Sequence, residues 1–229
     1  SCSIVQVGFF ICPTIIEYTL GHFVPMIWRW RILSNQDTIC FYGRTRNYIL
    51  TAALGIAAGL LTASFLWLPD STLWDFSYFS SDAYGFWMLT TAIIVLFSEK
   101  RYVAAINAGV YVFFLFLITT VFQSLKMFCS SEFTPFETIG ELIIGSIGGW
   151  LWYSIIPASV CAVLASVFWS AREKTVLGKL LLFVPLVILA VETIWLLISV
   201  FAYHTRLFSA ITNLVCIIAY CKIIKVFRP

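Results

Sequence analysis

Charge is what this sequence has least of. Lys and Arg total 14 and Asp and Glu 11, so charged residues make up 11% of its 229 positions, where a soluble domain carries about 25%. So small a supply cannot cover a globular surface in water, which excludes an ordinary soluble fold. The few basic residues are scattered between apolar runs, and the formal net charge is only +3. No basic patch long enough to follow a phosphate backbone exists, so nucleic acid is excluded as a partner.

Histidine is almost missing: His22 and His204 are the two present. His22 falls in the first apolar segment and His204 at the outer end of the sixth, which argues against a haem held by two histidines inside a bundle. The seven cysteines make no C-x-x-C and no Cys/His cluster with metal-ligand spacing. Neither a metal nor a cofactor is therefore expected. Cys12, Cys161 and Cys216 sit in apolar runs, where a thiol acts as a small hydrophobe. Nucleophile elbows, H-E-x-x-H, P-loops and G-x-G-x-x-G turns are absent, so the expectation is not an enzyme. With no fixed-period repeat and no linker-like tract, residues 1–229 read as a single membrane-embedded helical domain.

What the sequence has in excess is long hydrophobic runs, at 61% hydrophobic residues overall. A membrane-spanning helix needs about 20 mostly apolar residues at 1.5 Å rise each. Seven segments qualify, near 4–28, 47–68, 84–98, 102–125, 136–170, 176–203 and 206–224. The fold class predicted is all-α, a polytopic transmembrane bundle of about seven spans. The third segment is the shortest and reaches only about 22 Å by the helical rise. Its link to the fourth, Ser98-Glu99-Lys100-Arg101, permits only an antiparallel hairpin. The fifth opens with a capping box, Thr134-Pro135-Phe136-Glu137.

Charge between the segments predicts their orientation. The first link carries Arg29, Arg31, Arg44 and Arg46, and the second only acids: Asp70, Asp75 and Asp82. Lys100 and Arg101 follow, then Glu132, Glu137 and Glu141 with Lys126, then Arg172, Lys174 and Lys179. Arg206 and His204 mark the sixth link, and Lys222, Lys225 and Arg228 the tail. Basic links alternate with acidic or nearly neutral ones, so the positive-inside rule places the N-terminus out and the C-terminus in. A six-span alternative lays residues 1–46 along the inner interface and leaves the later orientations unchanged. The seven-span threading puts Cys2 and Cys129 on the same outer side, where they are either a disulfide or two unpaired thiols. The acidic link 69–85 is aromatic, with Trp74, Phe76, Tyr78, Phe79 and Tyr84, and is expected to fold onto the outer interface.

Small residues predict where helices touch. Gly55 and Gly59, Ala105 and Gly109, and Gly145 and Gly149 each repeat at four-residue spacing, which lets backbones approach on one helix face. These faces meet either within one chain or between protomers of an oligomer or a larger membrane complex.

Two acids carry the functional reading. Glu17 and Glu192 fall near the middle of apolar segments, with no Lys or Arg deep in any span to neutralise them. Such an acid faces a cavity or a partner. It is either a protonated, hydrogen-bonded carboxyl or a group that handles a cation or proton. His22 follows Glu17 by five residues and points about 140° away on a regular helix. Asn107 and Asn213 lie within spans, where interhelical hydrogen bonding is the first expectation. Pro13, Pro25, Pro157 and Pro185 are expected to kink their helices.

The sequence thus predicts a multi-pass protein of the inner or plasma membrane, embedded in the lipid bilayer. It is expected to be transporter- or channel-like, moving a small solute or cation, with Glu17, Glu192, His22 and Asn107 as candidate binding groups. The alternative is a non-catalytic membrane subunit or scaffold, in which the small-residue faces are docking surfaces and the acids are structural.

Overall fold

The structure, a computed structural model, describes residues 45–69, 71, 73–76, 79, 84–130, 138–173 and 175–227. All of them belong to one compact unit, Cys40–Pro229. The expected first segment, with Glu17, His22, Pro13 and Pro25, lies outside the described residues. So does the capping box Thr134–Glu137.

The described residues form helices and their connections. These are α1 (Thr45–Phe65), α2 (Tyr84–Leu96), α3 (Arg101–Cys129), α4 (Ile139–Phe168), a 3-10 turn (Trp169–Arg172), α5 (Val176–Tyr203) and α6 (Leu207–Phe227). Five are long and apolar enough to cross a membrane: α1, α3, α4 with its 3-10 extension, α5 and α6. The sixth, α2, is apolar but has only 13 residues. The bundle's outer surface is apolar as well, with Ile144 80% and Phe201 78% exposed. An apolar exterior of this kind belongs in lipid. The chain is a multi-pass integral membrane protein with an all-helical described fold.

α5 occupies the expected segment 176–203, and α4 starts later than expected. Its N-cap is Thr138, whose hydroxyl accepts from the Glu141 backbone N–H at 3.2 Å. Thr138-x-x-Glu141 has the same T-x-x-E spacing as Thr134-x-x-Glu137 and leads directly into Leu142-Ile143-Ile144. The cap that borders the apolar run is the one this helix uses. At α5 the N-cap is Thr175, accepting from Gly178 N–H at 3.0 Å. A Cβ on Gly178 would lie 2.3 Å from the Glu173 carbonyl oxygen, so only glycine lets the 3-10 turn close onto the helix. α5 and α6 are joined by three residues, and His204 and Arg206 take left-handed backbone at φ 53° and 63°. His204 acts here as a helix terminator, its N–H bonded to the Val200 carbonyl at 3.1 Å.

Helix directions alternate along the chain. α1 and α3 run parallel: Gly55 meets Tyr111, and Gly59 meets Leu115 and Ile118. α2 returns between them, and the Tyr111 hydroxyl donates to Thr90 Oγ1 at 2.8 Å. α4 runs back along α3, fastened at one end by Trp150 Nε1 to Ser124 Oγ (2.9 Å) and at the other by Trp169 Nε1 to the Ser98 carbonyl (3.1 Å). α6 runs parallel to α2, with Gly85 against Asn213 and Ala92 in a cluster with Tyr220 and Ile224. The links 97–100 and 169–175 therefore share one end of the bundle, which carries Lys100, Arg101, Arg172 and Lys179 and is the basic end. There the Arg172 guanidinium also donates to the Ser98 carbonyl and stacks over Trp169.

At the other end the aromatic link packs on helix ends. Phe76 and Phe79 pack on Phe65 of α1 and Phe208 of α6 at ring separations from 5.0 to 6.3 Å. Phe79 is buried, and the Leu207 N–H bonds to the Leu73 carbonyl at 3.3 Å. These contacts bridge the end of α1 to the start of α6, beside the N-terminus of the short α2.

The tightest seam is α1 on α3. A Cβ on Gly55 would sit 2.5 Å from the Tyr111 carbonyl oxygen, and one on Gly59 would sit 2.9 Å from that of Leu115. Backbone cannot move aside as a side chain can. Gly55→Leu or Gly59→Leu should each destabilise the purified protein by about 1–3 kcal/mol, the range for overpacking a dense core. Gly149→Leu, with nothing within 4 Å, should stay within about 0.5 kcal/mol of wild type. Thermal unfolding in detergent separates the two classes.

Candidate functional site

The functional candidates fall in two seams of the bundle. In the first, α1 on α3, Asn107 is fully buried, and the Thr51 hydroxyl lies 3.2 Å from its Oδ1 and 2.8 Å from the Asn47 carbonyl. Thr51, Gly55 and Gly59 descend one face of α1 in steps of four, and Asn107, Tyr111 and Leu115 descend the facing side of α3. Asn107 thus makes an interhelical contact at the start of a close-packed track. Ala105 is half-buried, and Gly109 packs on α4, where its Cβ position is 3.3 Å from Ala162 Cβ. Gly145 and Gly149 are exposed, and no described neighbour fills the space at Gly149.

The second seam joins α5, α6 and the N-terminal turn of α2. One face of α6 carries Ser209, Asn213, Cys216 and Tyr220, all buried. Their spacing of four, three and four residues keeps them on one stripe of a 3.6-residue helix. Tyr220 donates its hydroxyl to the Leu182 carbonyl at 3.0 Å. That carbonyl lies in the turn ahead of Pro185, where the missing proline N–H disturbs the regular ladder. Glu192 of α5 faces this stripe: both its carboxylate oxygens are shielded from solvent, and it interacts electrostatically with Cys216. Asn213 reaches α2, so that a Cβ on Gly85 would meet Asn213 Oδ1 at 1.8 Å and Leu189 at 3.2 Å. The absent side chain of Gly85 is what admits the asparagine.

Most hydroxyls in the bundle are satisfied locally. Thr62, Thr90, Thr119, Thr120, Ser154 and Thr193 each donate to the carbonyl four residues earlier at 2.7–2.9 Å, the usual solution in a helix surrounded by lipid. Ser209 is different. It is the third residue of α6, so its carbonyl four back is Thr205, outside the helix. Its Oγ and the Nδ2 of Asn213 are buried with no hydrogen-bond partner.

Sequence reading singled out Glu192 and noted Asn213 as interhelical, but it did not connect them. It missed Ser209, Gly85 and Tyr220 altogether. The available signal was the stripe of small and polar residues repeating along an otherwise aliphatic helix. Its relation to Gly85 depends on a contact between segments more than 120 residues apart. No group of three His, Cys, Asp or Glu able to hold a metal occurs among the described residues. Cys129 is a free, exposed thiol; Cys2 lies outside the described residues. A recess of about 430 Å³ lies on α5, lined by Ile194, Leu197, Ile198, Phe201 and Ala202. It is apolar, and helical geometry turns it away from Glu192, so it belongs to the lipid-facing surface rather than to the polar seam.

No family model, curated protein or solved structure matches the chain. The class rests on the helices themselves: a multi-pass membrane protein whose short α2 abuts a buried polar stripe. The bond from Tyr220 to the Leu182 carbonyl gives a direct test of this seam. Tyr220→Phe should lower stability by about 0.5–1.5 kcal/mol, the net worth of one hydrogen bond. Tyr111→Phe, which frees Thr90 to keep its carbonyl bonds at Phe86 and Trp87, should cost less in the same unfolding assay.

Proposed function

We propose that the protein moves a small polar solute or cation across its membrane, with Glu192 as a protonatable group of the pathway. The observation that supports this most is the placement of α2. A helix of 13 residues spans about 20 Å, short of a bilayer core of about 30 Å. Its N-terminal turn ends against Asn213, on the stripe that also faces Glu192. Short and interrupted helices frame the midplane sites of many transporters. The titratable group that α6 brings to Glu192 is Cys216. Glu17, His22 and Asn107 are proposed as further binding groups. The chain acts without chemistry on its cargo.

The proposed topology is seven spans, with α2 and the first segment both crossing, the N-terminus outside and the basic end inside, in the plasma or inner membrane. A second reading, a non-catalytic subunit of a larger membrane complex, draws support from α4. There Gly148 and Gly149 leave open space on an exposed helix face, a surface able to take another helix closely.

Reconstituted alone in liposomes, the protein should show solute flux that changes with pH. Glu192→Gln should reduce the pH-dependent component by about tenfold or more, equivalent to roughly 1.4 kcal/mol, while expression is unchanged. Unaltered flux in the variant removes Glu192 from the mechanism. Stoichiometric co-purification of other membrane proteins, with no flux from the isolated chain, favours the subunit.

A further inference from the structure

The two ends of the bundle differ in charge. At the end that holds the aromatic link, Lys126 and Arg206 are balanced by Asp75 and Glu141 among the described residues. The basic end carries Lys100, Arg101, Arg172, Lys179, Lys222 and Lys225 against Glu99 and Glu173, and all six cations are exposed. Arg46, exposed near the start of α1, adds to them.

Four of these cations gather at one corner. Leu96 of α2, Ala171 of the 3-10 turn and Leu182 of α5 form one buried cluster, and Ile223 of α6 packs against it. Arg172 follows Ala171 in the chain, Lys222 precedes Ile223, and Lys179 lies one turn before Leu182. Lys225 lies one turn beyond Lys222, and residues three apart are neighbours on a helix surface. Arg172 is held in place, its guanidinium donating to the Ser98 carbonyl and stacking over Trp169.

What borders the corner identifies what it meets. Val176, Leu177 and Leu180, around Lys179 in the first turns of α5, are all exposed. Cations bordered by exposed aliphatic side chains, at the end of an apolar bundle, stand where a bilayer's phosphates meet its acyl chains. Lysine stems lie along that apolar layer and keep their ammonium groups at the headgroups. Tyr102, exposed beside Arg101, fits the same level, which tyrosine prefers. A phospholipid matches both halves of this surface, its phosphate to the cations and its chains to the aliphatic face. A free anion matches only the first.

We infer that the corner formed by Arg172, Lys179, Lys222 and Lys225 binds the phosphate headgroup of an anionic phospholipid. A zwitterionic headgroup is disfavoured, because its own cation offsets the attraction. The lipid joins the 3-10 turn, α5 and α6 at the basic end, whether the chain moves a solute or serves a larger complex.

The test is equilibrium binding to the full-length protein in nonionic detergent. The probes are dioleoyl phosphatidylglycerol, the phosphatidylcholine with the same chains, and inorganic phosphate. Phosphatidylglycerol should bind about tenfold or more tightly than phosphatidylcholine, and its advantage should shrink as salt is raised. Inorganic phosphate at millimolar concentration should not displace it. The triple variant Lys179→Gln, Lys222→Gln, Lys225→Gln should lose that advantage by about tenfold, while Lys126→Gln, at the other end, should keep it. Because these lysines are exposed, the variants should unfold at the wild-type temperature. If the triple variant does not fold, Lys179→Gln and Lys222→Gln carry the test singly, each with a loss of about threefold to fivefold. Equal binding of the two lipids would overturn the assignment, as would an unchanged preference in the triple variant or, failing that, in both single variants. An equal loss in Lys126→Gln would overturn it too, and displacement by inorganic phosphate would assign the corner to a free anion instead.

Discussion

In lipid, each backbone and side-chain polar group must find its partner inside the protein, because no water is there to supply one. That single constraint accounts for much of the described structure. It selects helices, which satisfy their own backbones. It turns serines and threonines back onto the carbonyl of the preceding turn, as at Thr62, Thr119 and Ser154. It also ties Trp150 to Ser124 and Tyr220 to the Leu182 carbonyl, the longer-range bonds that hold α3 to α4 and α6 to α5. Groups that escape this pattern are few, and Ser209 and Asn213 occur together on one face of one helix.

The same solvent removes the usual drive for helix association, since lipid tails are as apolar as leucine. Helices associate instead through close packing and polar contacts. Gly55 and Gly59 bring the α1 backbone onto that of α3 along a track that begins with Thr51 and Asn107. Gly85 does something different with the same missing side chain. It admits Asn213 to the first turn of α2 and so joins the α5–α6 pair to the rest of the bundle. One use of glycine makes a rigid seam; the other makes a polar one.

Fold class and helix limits were legible in the sequence because bilayer thickness imposes long apolar runs. Val176–Tyr203 reads off directly as α5, and the segment 84–98, which holds the helix Tyr84–Leu96, was already visible as the short member. The start of α4 was misjudged by about a turn because two T-x-x-E boxes stand in tandem, and only the neighbouring apolar run distinguishes them. Glu192 stood out as an acid in an aliphatic segment, a one-dimensional signal. Its neighbours did not, since the meeting of Gly85 with Asn213 is set by how α2 and α6 pack side by side. Glycine spacing was a mixed guide. It points to real contacts at Gly55, Gly59 and Gly109, while Gly145 and Gly149 are exposed. Four-residue spacing defines a helix face but not what covers it.

The account depends on α2 crossing the membrane despite its 13 residues, so that the parallel pairs α1–α3 and α2–α6 alternate in direction. Side-specific labelling of single cysteines in a cysteine-free protein, in sealed vesicles, tests this most directly. Cysteines at Ser71, Glu99 and Glu173 report the links before α2, after α2 and after α4. The account predicts that Glu99→Cys and Glu173→Cys react from one side and Ser71→Cys from the other. Reaction of Ser71→Cys and Glu99→Cys from the same side would show that α2 does not cross, and would contradict it.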